Sequence, residues 1–129
     1  MAAIDEVFDA VVDLAQIDGL YANIVVGSLP ADNGVSMAIG AGHPTATDLV
    51  KGMAYELDIV LNTKHRNQRT AFAALCQIHD KLTKATDYPN EPAFQITNIS
   101  TTAAPNYIDR EDTGQWLYGS TLRVNFYYR

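Results

Sequence analysis

The sequence predicts an α+β fold: a two-layer sandwich, mainly antiparallel, with two helices packed on one face of the sheet in the order α-β-β-β-α-β-β. Three observations predict it. Two segments, 2–16 and 66–84, repeat apolar residues at the three-and-four spacing of a helix with one buried stripe. Two others, 51–62 and 115–128, alternate apolar and polar residues, the pattern of a strand with one buried and one wet face. Short turns join consecutive strands, which favours antiparallel pairing, and two amphipathic helices suffice to cover one sheet face.

The first helix carries Ile4, Val7, Phe8, Val11, Leu14 and Ala15 on one stripe. Asp5 and Glu6 stand near its N-terminus, where the helix dipole favours negative charge, and Asp18-Gly19 is expected to end it. A strand over 21–28 follows, centred on Ile24, Val25 and Val26. The segment 30–34 (PADNG) reads as a turn, from which 35–41 pairs back with Val35, Met37 and Ile39 on one face. The stretch 40–47 (GAGHPTAT) reads as a small loop.

In 51–62, Met53, Tyr55, Leu57, Ile59 and Leu61 point one way, and Glu56, Asp58 and Asn62 the other. The second helix presents Phe72, Leu75, Cys76, Ile78, His79 and Leu82, with Lys81 and Lys84 at its cation-favouring end. Pro89 and Pro92 forbid regular structure around them. A strand over 93–100 leads into 101–114, read as a long polar loop or an arm, and loops of that length inside a domain are often functional. In the last strand Trp116, Tyr118, Leu122, Val124, Phe126 and Tyr128 share the core face.

Length and composition bound the function. The 129 residues fit one domain over 1–129, and 47% hydrophobic against 19% charged residues argues against disorder. One cysteine, Cys76, excludes an internal disulfide. No run approaches the roughly 20 apolar residues of a membrane span, and the acidic N-terminus is unlike a secretory signal, so synthesis in a reducing cytoplasm is expected. The net charge of −6 is unevenly spread. Residues 1–50 hold seven acids and no Lys or Arg; residues 51–129 hold nine bases and eight acids, a sum of +1. A chain of this charge is a poor general nucleic-acid binder, because that affinity comes mostly from neutralising phosphates.

No catalytic motif emerges. His43, His65 and His79 lack the spacing of a helical metal pair, and His79 reads as a hydrogen-bonded core residue. Gly40-Ala-Gly42-His-Pro lacks the ending of a phosphate-binding loop. Asp109-Arg-Glu111-Asp112 has too short a frame for calcium and reads as a solvated tip. Cys76 falls on an apolar helix face, where thiols are packing groups. Glu56 and Asp58 share a strand face, which an exposed sheet explains as well as acid–base chemistry does.

The surface is more informative. Asp5, Asp9 and Asp13 stack at i, i+4 and i+8 along the first helix, with no nearby base to offset their repulsion. Lys64, His65, Arg66 and Arg69 cluster at the start of the second helix, where cations oppose the dipole. Two locally unfavourable patches of opposite sign suggest head-to-tail association, which closes into a ring when the rotation allows. Tyr127, off the core face, together with Arg110, Arg123 and Arg129, completes the set of candidate subunit contacts, since aromatic residues and Arg are enriched at interfaces.

A helix such as IDEVFDAVVDLA, a central helix, and an ending such as GQWLYGSTLRVNFYYR within 96–129 resemble the tail terminator proteins of long-tailed bacteriophages. More narrowly, they resemble the minor capsid protein group of phages and prophages of Gram-positive bacteria. The resemblance implies a virion subunit at the head–tail interface. It would form a hexameric ring that caps the tail tube, stops tube growth and meets the head connector or completion protein. It implies no enzymatic activity, no cofactor and no membrane. DNA would pass the lumen without sequence-specific contact, and an acidic lumen suits that passage by repelling phosphate. Two other readings compete. One is a small α+β enzyme or ligand-binding domain with a pocket between sheet and helices, using His43, His79, Tyr55 and Glu56. The other is an adaptor module that pairs through the wet sheet face.

Overall fold

The chain was analysed as a computed structural model that describes residues 2–17, 19–48, 52–85 and 87–128. The elements are α1 (Ala2–Ala15), β1 (Ile24–Val26), β2 (Gly34–Asp48), β3 (Gly52–His65), α2 (Gln68–Thr83), β4 (Phe94–Arg110) and β5 (Trp116–Tyr128). They form the expected order, with one five-stranded sheet arranged β1-β2-β3-β5-β4. All neighbours are antiparallel except β1 and β2.

Alternation sorts the sheet into two faces. Val35, Met37, Leu57, Ile59, Leu61, Leu122, Val124 and Phe126 are buried on the inner face. The helices cover that face: Val7, Phe8, Val11 and Ala15 from α1, and Ala71, Leu75, Ile78 and Leu82 from α2, join the same core. Each such side chain contributes roughly 1.5–3 kcal/mol by leaving water. Asn67 caps α2, its side chain accepting from Thr70 N at 3.1 Å. Lys81 of α2 donates to Gln16 O at 2.8 Å, just past the end of α1. It thereby sets a cation at the negative end of a helix whose own last turn has none.

Four expectations need correction. The segment 21–28 is strand only over Ile24–Val26, and it runs parallel to β2, pairing Ile24 with Val35. The turn composition at 30–34 is real, but the connection over 27–33 returns to the start of β1 before β2 begins, so Ile24 pairs with Val35 and Val26 with Met37 and the two strands run side by side. The stretch 40–47 is strand rather than loop, because β3 pairs with β2 from Gly34–Lys64 to Asp48–Gly52. Its register shifts at Ile39/Gly42 and Pro44/Ala46 absorb the residues that disguise it. Residues 101–110 continue β4 against β5 as far as Arg110–Trp116, so the extended loop shrinks to the turn 111–115. Lys64 and His65 end β3 instead of starting α2, because β5 pairs with β3 to its last residue, His65 against Trp116.

Candidate functional site

Several of the candidate contact charges find partners inside the chain, and one pair, Arg66–Asp32, joins the two halves of the sequence. Lys64 is buried, its Nζ 3.1 Å from Glu111 Oε2 and donating to Pro30 O at 3.1 Å. Arg66 reaches Asp32 Oδ1 at 3.1 Å and Thr113 O at 3.2 Å. Gln115, also buried, donates to Ala31 O at 2.8 Å and accepts from Asn33 N at 2.7 Å. These bonds clasp the 30–33 turn to the 111–115 turn. Tyr21 closes the base of the clasp, its hydroxyl 2.8 Å from Gly34 O and 2.9 Å from Lys64 O, and burial pushes its pKa up to about 12.

On the outer face Arg123 bridges Asp58 at 3.0 Å and Glu56 at 3.7 Å. The hydrogen bond to Asp58, helped by both carboxylate charges, raises its pKa further. Of the expected contact residues, Lys64, Arg66 and Arg123 therefore have partners within the subunit. Asp5, Asp9, Asp13, Arg69, Arg110 and Tyr127 are exposed. Arg129 lies outside the described residues.

The outward residues gather at the two ends of the sheet. At one end lies the tip of the β4–β5 hairpin, an arm that β3 flanks as far as Trp116. Tyr107 packs on Trp116 at 6.1 Å and on Tyr118 at 5.8 Å between ring centres, while Phe72 of α2 meets Tyr118 at 5.3 Å. Arg110 lies 5.1 Å over the Trp116 ring, a cation–π contact. Tyr107 and Ile108 nevertheless stay 51% and 49% exposed, and Phe72 42%. At the other end an open groove of about 540 Å³ is lined by Asp5, Phe8, Asp9, Val26, Gly27, Ala38 and Ile39. Val26 is 59% and Ile39 44% exposed there. Ile39 follows the core alternation of β2 but lies beyond the cover of the helices.

Tyr107, Ile108 and Trp116 belonged to the sequence's candidate loop and last strand without being picked as contacts. An aromatic-aliphatic pair inside a polar stretch, Asn-Tyr-Ile-Asp, was the signal that could have marked them.

The residues of the enzyme reading do not converge. His79 is buried, with Nδ1 2.9 Å from Ser120 Oγ and Nε2 2.8 Å from Thr101 Oγ1. Its ring is thus held by two hydroxyls, with no carboxylate hydrogen-bonded to it, and burial lowers its pKa against the opposing charge of Asp80. Glu56 stands on the opposite face of the sheet beside Arg123. Tyr55 packs against Phe126 at 5.5 Å. The side chain of His43 lies outside the described residues. Burial, and then Asp80, raise the Cys76 thiol, which keeps it a poor nucleophile. Among the described residues, no group of three or more His, Cys, Asp or Glu is placed to hold a metal ion, and no helix is long and apolar enough to cross a membrane.

No family model matches the sequence, and no curated protein matches it. The fold itself has a match among solved structures. A chain in the structure described as the virion of a native gene transfer agent particle superposes with a TM-score of 0.59 at 18% identity. The match covers 98% of this chain and 92% of that one, so the two share their fold essentially end to end.

Proposed function

We propose that this protein is a structural subunit of a phage-like virion, and within it the tail terminator: a ring, hexameric in the reading adopted here, that caps the tail tube and meets the head connector. The observation that carries the proposal is the end-to-end fold match to a chain of a gene transfer agent virion, a particle of phage-like build. The surface agrees with an assembly role. Hydrophobic side chains stand exposed at both ends of the sheet, and large exposed apolar groups in clusters mark places where proteins meet. The acidic row Asp5, Asp9, Asp13 is exposed and so is open to a neighbouring subunit. On this reading the chain performs no chemistry. It acts by shape and charge, through homo-oligomer contacts and through the tube and connector proteins on either side.

Mass spectrometry of purified particles, with antibody labelling under the electron microscope, tests the proposal. The protein is expected in intact particles at about six copies, the subunit count of the proposed ring, with label at the head–tail junction. Its absence from particles, or label elsewhere on them, contradicts it.

A further inference from the structure

The two ends of the sheet complement each other. The arm end presents Phe72 and Tyr107, flanked by Arg69 and Arg110; all four are exposed. Arg69 stands three residues before Phe72 on α2 and so shares its side of the helix. Arg69 makes no ion pair among the described residues, and Arg110 only covers Trp116. The groove end presents Val26 and Ile39 beside Phe8, flanked by Asp5 and Asp9. These acids, too, have no ion pair among the described residues. The arm end is apolar with the cations Arg69 and Arg110 beside it, Arg110 standing among the acids Asp109 and Asp112 of the hairpin tip, and the groove end is apolar with an acidic margin.

The sheet edges at these ends are also open. The segment around Pro89–Asn90 covers only the start of the β4 edge, through Ile96 N to Pro89 O at 3.0 Å and the Asn90–Gln95 bridge. Beyond it, β4 has no further strand neighbour among the described residues. On the opposite side, β1 covers β2 only over Val35–Met37. Open edges are a hazard that a protein usually blunts or buries.

We infer that the arm end of one subunit docks into the groove end of a second copy of this chain, with Phe72 and Tyr107 on Val26 and Ile39, and Arg69 and Arg110 facing Asp5 and Asp9. The contact is heterologous, because the two surfaces differ, so repetition builds a ring or a filament rather than a closed pair. The inference deepens the reading of the protein as a ring-forming virion subunit by naming the two faces that join.

Charge-swapped variants of the full chain test it. One carries Arg69→Glu and Arg110→Glu; the other carries Asp5→Lys and Asp9→Lys. Circular dichroism establishes that each is folded. Sedimentation at rising concentration then compares them with the wild type. Each variant alone is expected to associate about tenfold or more weakly, since attraction becomes like-charge contact. An equimolar mixture is expected to recover association, because an acidic arm then meets a basic groove, and the remaining native faces meet each other. Amide chemical shifts of the labelled wild type should move together at the arm and the groove as concentration rises. Unchanged association in either variant, a mixture that is not rescued, or a wild type without shift changes up to millimolar concentration overturns the inference. These results leave the virion reading to its own particle-based test: a subunit found in virions that joins through other faces fails here and passes there.

Discussion

Lys64 Nζ lies 3.1 Å from Glu111 Oε2, and this contact, buried on the lysine side and half-open on the glutamate side, ties the end of β3 to the turn that closes the β4–β5 hairpin. The same ammonium donates to Pro30 O, so one side chain holds two turns from distant parts of the chain. Lys64→Met keeps the apolar stem but removes the charge, leaving Glu111 and Pro30 O without their donor. Because Glu111 is half-open to water, which screens its charge, losing the lysine costs about 1 kcal/mol, against under about 0.5 kcal/mol for a surface lysine. The urea midpoint is expected to fall accordingly, and an unchanged midpoint contradicts the clasp.

His79 gives the fold a pH dependence with a defined sign. Its folded pKa lies below the ordinary 6.5, chiefly because burial disfavours the charged ring. Below pH 6.5 the unfolded chain therefore binds more protons than the folded one. The contribution of the neutral ring is complete above that pH and is lost as pH falls below it. Urea titrations between pH 7.5 and pH 5 should show declining stability, and His79→Gln should flatten the decline. An equal decline in both proteins contradicts the assignment.

Gly34 faces Pro30 so closely that an added Cβ would overlap Cγ and Cδ of the Pro30 ring. The ring is stiff, so the turn must shift. Gly34→Ala is expected to cost about 1–3 kcal/mol, as overpacking does. The double variant Pro30→Ala/Gly34→Ala removes the clashing ring atoms and should recover part of the loss in thermal melts. Equal melting temperatures for the single and double variants would rule out this origin.

Asn67 accepts from Thr70 N as the cap of α2. Asn67→Ala should destabilise the protein by about 1 kcal/mol, whereas Asn67→Asp should be nearly neutral, because an aspartate caps equally well at the positive end of the dipole. Guanidinium titration of both variants checks this, and equal losses in the two would exclude capping as the cause.

Legibility in the sequence followed the strength of local patterning. The alternation of β3 and β5 located them within a few residues, because both lie inside the sheet and bury one face along their length. The second half of β2 and the end of β4 were hidden for the same physical reason. Both run at sheet edges, where Pro44 and Pro105 cost less than in a central strand, and 101–110 of β4 buries no face that would enforce alternation. The exposed row Asp5, Asp9, Asp13 and outward Tyr127 followed from helix and strand periodicity. The partners of Lys64, Arg66 and Arg123 did not, since Lys64 and Glu111 are 47 residues apart in sequence and meet only after three strands have paired. The charge segregation that first suggested assembly is thus partly satisfied within the subunit. What remains for a neighbour is the narrower set at the two ends of the sheet.

As a tail terminator this chain would complete the virion tail. Deleting its coding sequence from the genome that carries it, and imaging the resulting particles by electron microscopy, tests this most directly. Filled heads without attached tails are expected, together with tail tubes of uncontrolled length, both reversed by supplying the protein in trans. Normal numbers of complete particles with tails of uniform length would contradict it.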